Sequence, residues 1–224
     1  MLRKLDENLW AAEQPLKYMG LAVGARMTVI RLSDGSLWVH SPLHLTPERR
    51  EAVEALGPVC FLVAPNKYHH LFIGEWMAAF PQARAYAAPG LSEKRKDLSF
   101  HAVLSEQVSA DWAGQIDVLP WQGAPMLGEV VFFHRPSRTL VLTDSAHNIG
   151  ANAAPLTRFV FKVVGRCDRL STWVVDRLVN RDRAAARRTV DTILQWDIQR
   201  VILAHGNIVE HDGAQAFREA YAWL

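Results

Sequence analysis

Four side chains of this 224-residue chain stand where chemistry is easiest to build. His69 and His70 follow a short apolar run ending at Ala64. His205 follows another ending at Ala204, and Asp144 closes a third, Leu140-Val141-Leu142-Thr143. Imidazole and carboxylate are ligands for Zn, Fe or Mn, and three or four of them around an open position make a hydrolytic centre. Such a metal lowers the pKa of a bound water to about 7 and polarises an ester, amide or phosphoryl oxygen. The same residues have plainer readings. An adjacent His pair equally describes one inward and one outward residue, and Asp144 equally describes a cap on the turn that follows it.

Residues so far apart in sequence meet only if strand ends bring them together, so the elements matter. Met27–Arg31 and Leu37–His40 flank Asp34-Gly35, a hairpin signal because Gly accepts the positive φ of such turns. Thr46-Pro47 opens a helix, with Thr as N-cap and Pro in the first turn, and that helix stops near Gly57-Pro58. Val59–Ala64 is a continuous apolar run ended by Pro65, the pattern of a strand buried on both faces. Leu71–Phe80 reads as a helix and Ala85–Ala88 as a short strand. Three more strands are expected at Ile116–Leu119, Val130–His134 and Thr139–Thr143. A helix from Asp182 to about Trp196, a strand at Arg200–Ala204 and a helix from Gly213 to Trp223 complete the chain. Hairpins early and strand–helix alternation later predict an α/β sandwich with sheets inside and helices outside. Ligands then collect beyond the C-terminal ends of strands, where loops are exposed on rigid supports.

Composition narrows the partners. Half the residues are hydrophobic and 21% are charged, enough for a large core and one domain spanning residues 1–224. Lys and Arg number 25 against 23 Asp and Glu, which leaves no chain-wide charge for nucleic acid. No apolar run approaches the roughly 20 residues that span a bilayer, so no membrane partner is expected. Cys60 and Cys167 form neither a CxxC pair nor a disulfide framework and read as isolated buried thiols. These features predict a reduced, cytoplasmic protein. There is no Gly-x-Ser-x-Gly elbow around Ser41 or Ser145, and no Walker or dinucleotide glycine pattern, so no nucleotide cofactor is expected. From Arg158 to Arg188 nine Lys/Arg stand against three Asp/Glu, either a solvated helix face or the rim of a pocket for an anion. Trp10, Trp38, Trp76 and Trp121 serve either the core or an apolar pocket.

The order of a strand hairpin, a His-bearing loop, a late strand ending in Asp and a last one ending in His205-Gly206 resembles the metallo-β-lactamase superfamily. The stretch Ala64-Pro65-Asn66-Lys67-Tyr68-His69-His70-Leu71-Phe72-Ile73-Gly74-Glu75-Trp76 resembles an uncharacterised branch of it, DUF4336. The resemblance implies a four-layer αβ/βα sandwich, with two central mixed sheets and helices outside. That superfamily carries His-x-His-x-Asp-His. With its last His on His70, the first two histidines fall on Pro65 and Lys67 and the Asp falls on His69. A further family His is missing from Gly123–Gly128, and His40-Ser41-Pro42 replaces the usual Asp-x-Gly turn. The resemblance therefore implies loss of the first metal site. For the second, His69, His70, Asp144 and His205 remain as ligands for one Zn, Fe or Mn ion.

Lys67 and Asp144 are the expected catalytic residues. The Lys67 ammonium would stand in for the lost cation, pairing with Asp144 or holding an anionic substrate group or oxyanion. His147 is either a partner of the site that carries protons or an exposed loop residue. The leading reading is a mononuclear hydrolase of an ester, amide or phosphoester in a small molecule. The alternatives are a non-catalytic protein binding a small molecule in the former active-site cleft, and a redox use of Fe in the same pocket.

Overall fold

A computed structural model describes residues 1–107, 110–173 and 179–224. One sheet contains seven strands in spatial order β1 (Leu2–Asp6), β2 (Leu9–Gln14), β5 (Ala25–Arg31), β6 (Leu37–His40), β7 (Val59–Ala64), β8 (Arg84–Ala87) and β9 (Ala102–Val103). Strands β3 (Lys17–Tyr18) and β4 (Leu21–Ala22) form a separate small hairpin. The first four strands of the large sheet pair antiparallel, and from β6 onward pairing is parallel. The second sheet runs β10 (Ile116–Pro120), β11 (Val130–His134), β12 (Thr139–Val141) and β13 (Arg200–Ile202), antiparallel except for the final pair.

The local signals explain most of these elements. Gly35 adopts φ +86°, and the Asp34 carboxylate accepts hydrogen bonds from the Ser36 backbone and hydroxyl. Thr46 Oγ1 caps α1 (Pro47–Glu54) by accepting from Arg49 N at 3.2 Å. The Asp182 side chain does the same for α5 (Arg183–Ile193), accepting from Ala185 N. In chain order the other α-helices among the described residues include α2 (Ile73–Ala79), α3 (Leu91–Lys94), α4 (Pro155–Val163) and α6 (Gly213–Ala220).

Several ends fall short of their sequence limits. Helix α2 begins at Ile73 rather than Leu71, and α5 ends at Ile193. Trp196 lies beyond α5 and stacks on Phe133 from a turn. Helix α4, not among the elements expected from the sequence, buries Thr157 and Phe161 and turns Leu156, Phe159 and Val163 outward.

Three apolar cores separate four layers. Between the sheets, Trp38, Phe61, Val63 and Tyr86 of the first meet Ile116, Val130, Phe132, Val141 and Ile202 of the second. On the outer face of the first sheet, Leu62 and Ala64 pack with Val53 of α1, Ile73 and Trp76 of α2, and Leu91 of α3. The outer face of the second packs Val131, Leu140 and Val201 on Val190, Ile193, Phe217 and Tyr221. Strand β7 thus feeds alternate residues to two cores, as its unbroken apolar run requires. Trp10, Trp38, Trp76 and Trp121 all lie in these cores. Cys60 and Cys167 are free and half-buried, not enclosed as expected. Among the described residues no helix is long and apolar enough to cross a membrane.

Trp38 is fully enclosed, with Trp112 and Phe132 edge-on at 6.3 and 5.0 Å between centroids. Trp38→Ala should lower the unfolding free energy by about 3–5 kcal/mol, read from urea denaturation followed by far-ultraviolet circular dichroism.

Candidate metal centre

The parallel strands β7, β12 and β13 all point their C-terminal ends to one edge of the sandwich, and each delivers one side chain there. Asp144 Oδ1 lies 3.2 Å from His69 Nε2 and 3.0 Å from His205 Nε2. The two imidazole nitrogens are 3.3 Å apart. Bonds of 2.0–2.1 Å to one ion at tetrahedral angles place donor atoms about 3.3 Å from one another, so the spacing suits a first-row metal with a position left open. These three are the one such group of His, Cys, Asp or Glu among the described residues.

Each member is aimed by a further contact. His205 Nδ1 donates to the Gly24 carbonyl at 2.6 Å. A carbonyl only accepts, so the proton of a neutral ring sits on Nδ1 and Nε2 presents its lone pair. The loop bearing His205 is gripped by Arg26, a buried guanidinium paired with Glu13 that donates to the Leu203 and Gly206 carbonyls. His69 Nδ1 contacts Ser41 Oγ at 2.8 Å. Asn66 Oδ1 accepts from the backbones of Tyr68 and His69, a local turn that sets His69 inward. The Asn66 amide donates to Asp144 Oδ2 at 2.8 Å.

Glu129 carries no signal of its own in sequence beyond a charged residue ahead of the apolar run Val130–Phe133. It is buried, and its carboxylate accepts from the backbones of Thr143, Asp144 and Ser145 and from the Ser145 hydroxyl. Strand β12 stops at Val141 because the next N–H goes to Ile202 O and the three after it go to Glu129. Ser41, which the sequence offered as part of a diverged turn and rejected as a nucleophile, is the contact of His69. It holds φ +53° at the end of β6, an uncommon conformation for a residue with a Cβ.

Three expected residues stand apart. His70 does not join the convergence: its Nδ1 faces Arg95 Nη1 at 3.0 Å, since the turn that directs His69 inward sends its neighbour the other way. Lys67 makes no ion pair with Asp144. Its ammonium donates to the Pro125 carbonyl at 2.8 Å, and its stem lies against Gly90 and Gly128. His147 is fully buried rather than exposed in a loop. Its ring packs against Phe161 and Trp173, and neither nitrogen has a hydrogen-bond partner among the described residues. Of the basic stretch 158–188, Arg158, Lys162, Arg183, Arg187 and Arg188 lie on exposed faces of α4 and α5, and residues 174–178 lie outside the described residues.

The electrostatics follow from this crowding. Burial opposes ionisation of Asp144, but the charge of His69 and hydrogen bonds from His205 and His69 hold its carboxyl well below the usual range. Burial likewise resists protonation of His69, yet the Asp144 charge and hydrogen bond prevail and raise its pKa. Burial and the Asp144 charge push Glu129 upward against the pull of its donors. Burial drives His147 down to about 3, so this ring is neutral.

The fold is that of the metallo-β-lactamases. Matching solved structures include the DIM-1 metallo-β-lactamase exposed to ceftazidime, at 15% identity and TM-score 0.66 over 100% of this chain and 96% of that one. A metallo-β-lactamase from Pontibacter korlensis matches at 11% identity and TM-score 0.67 over 99% and 98%. The Flv1 flavodiiron core from Synechocystis sp. PCC6803 matches at 11% and 0.70, covering all of this chain and 60% of that one. No curated protein matches the sequence. Within that fold the chain belongs to the DUF4336 family, a domain of unknown function whose model matches residues 6–163. His69 and Asp144 fall inside the matched segment and His205 beyond it.

Two predictions follow from this geometry. Gly206 holds φ +81°, and a Cβ there would collide with the Asn148 carbonyl. Gly206→Ala should cost about 1–3 kcal/mol of stability in urea and displace the neighbouring His205. In metal-free protein, the raised His69 pKa means that the His69–Asp144 pair contributes fully below about pH 6.5 and less as pH rises through the folded value. The stability gap between the native chain and His69→Gln should therefore shrink as pH rises above about 6.5, as read by urea midpoints across pH.

Proposed function

We propose that this protein is a mononuclear metal-dependent hydrolase of an ester, amide or phosphoester in a small molecule, with His69, Asp144 and His205 as ligands to one Zn, Fe or Mn ion. The observation that carries this reading is the approach of three lone-pair atoms to within 3.3 Å of one another. Such atoms repel unless a proton or a cation lies among them. A divalent ion supplies Lewis acidity and an activated water when bound there.

The chain's own residues supply the rest. Gly24 fixes the tautomer of His205, Ser41 orients His69, and Asn66 holds the second oxygen of Asp144. A two-His, one-carboxylate set also suits Fe(II), so the identity of the ion bears directly on hydrolytic against redox chemistry. Lys67 serves substrate binding in this reading. Its stem is fixed between two glycines, and among the described residues its ammonium bonds only to the Pro125 carbonyl, leaving its charge for an anionic substrate group.

The inter-sheet core draws on both halves of the chain, which supports one domain over residues 1–224. Two free cysteines support a reduced, cytoplasmic setting. The near-balanced charge supports a small-molecule substrate over nucleic acid.

Elemental analysis of protein purified without chelator or metal-affinity tag tests the centre. We expect about one equivalent of metal, lost in His69→Ala and His205→Ala and retained in His70→Ala. Absence of metal from the native chain even after reconstitution sinks the hydrolase and leaves a binding protein that reuses the cleft. Loss in His70→Ala as well would restore a four-ligand site.

A further inference from the structure

Asp144 is the ligand whose direction is hardest to keep. It sits past the end of β12, its carboxylate is drawn toward two imidazoles, and its backbone has left the sheet. What holds that backbone is Glu129. Both Glu129 oxygens are used: Oε1 accepts from Thr143 N at 2.8 Å and Ser145 Oγ at 2.7 Å, and Oε2 accepts from Asp144 N and Ser145 N, each at 2.9 Å. The Asn66 amide, which donates to Asp144 Oδ2, lies 3.5 Å from Glu129 Oε2 and so spans the two carboxylates. Three of these groups are backbone N–H donors that cannot accept, and of the four only the Ser145 hydroxyl could receive a carboxyl proton. This is the hydrogen-bond surround of an anion. An anion 1% exposed beside a second carboxylate is costly unless positive charge is near, and no Lys or Arg pairs with either one among the described residues.

Resting on the metal-centre reading above, the geometry points to Glu129 as a positioning residue for the cation. Its carboxylate fixes the 143–145 backbone so that Asp144 faces His69 and His205. Together with Asp144 it gives the pocket two negative charges against a dication. Glu129 touches neither substrate nor ion in this role and acts only through Asp144.

The test is zinc affinity at neutral pH, by competition with a chromophoric chelator, for the native chain, Glu129→Gln and Ser145→Ala. Amide hydrogen exchange over residues 143–145 is followed in the same metal-free proteins. Glu129→Gln keeps the shape but removes the charge and turns an NH2 toward backbone donors. It should weaken zinc by about 10–100-fold, the usual effect of losing a partner of a metal ligand, and speed exchange at 143–145. Ser145→Ala deletes one of the four hydrogen bonds, leaves the carboxylate, and should produce a smaller loss. Zinc affinity in a folded Glu129→Gln within about threefold of native, below the range expected for such partners, overturns the inference. If Glu129→Gln does not fold, unchanged affinity and exchange in Ser145→Ala overturn it instead. A native chain that takes up none of Zn, Fe or Mn sinks the metal-centre reading itself, and faster exchange at 143–145 in Glu129→Gln would not rescue it.

Discussion

The structure turns on one crowded contact, the single Asp144 oxygen that lies within 3.2 Å of two imidazole nitrogens. Electron-rich atoms do not gather spontaneously at that distance, so the surrounding protein must hold them there. It does so with one outer contact per ligand: Ser41 for His69, Gly24 for His205, and Asn66 for Asp144. A second tier holds the backbones that carry them. Arg26 ties down the loop around His205, and Glu129 ties down the loop around Asp144. The site's rigidity is therefore polar, whereas that of the sheets beneath it is apolar.

The sheets explain why these three positions meet. Strands β12 and β13 run parallel with Val141 opposite Ile202, so Asp144 and His205, each three residues beyond that pair, leave the sheet at the same level. Strand β7 is parallel within the other sheet, and its loop crosses the gap through Asn66 to reach Thr143 and Asp144. The inter-sheet core, with Trp38 and Phe132 at its centre, sets the distance that the loop must bridge. The fold thus positions the chemistry through strand direction and layer spacing.

Much of this was legible from residues alone. Asp34-Gly35, Thr46-Pro47 and the run Val59–Ala64 each combine a local rule with the global fold, and each forms the expected element. His69, Asp144 and His205 were legible as strand-end ligand types. His70 was harder to separate from His69, because adjacent side chains in a loop obey no fixed alternation and the deciding hydrogen bonds come from Asn66. Glu129 was invisible because a lone acid before a strand has no pattern; its meaning comes from three backbone N–H groups fourteen to sixteen positions away. Helix α4 was harder to read because Ala154 offers it no side-chain cap and only Phe161 of its large apolar residues is fully buried. The alignment of Lys67 with a lost ligand position did not predict the glycine-lined groove that holds its stem.

The parallel pairing of β12 with β13 also imposes an order in time. Asp144 is made long before His205, and the strand that carries His205 is synthesised after every strand of the first sheet. Until it docks, β12 is an open edge of its sheet, and His69 and Asp144 lack their third companion. A nascent chain on the ribosome can therefore settle its first sheet early, since domains form progressively during synthesis, while the ligand cluster waits for the C-terminal third. Cells would thus meet this centre as a late-closing trap, assembled only once the strand that carries His205 has emerged and docked.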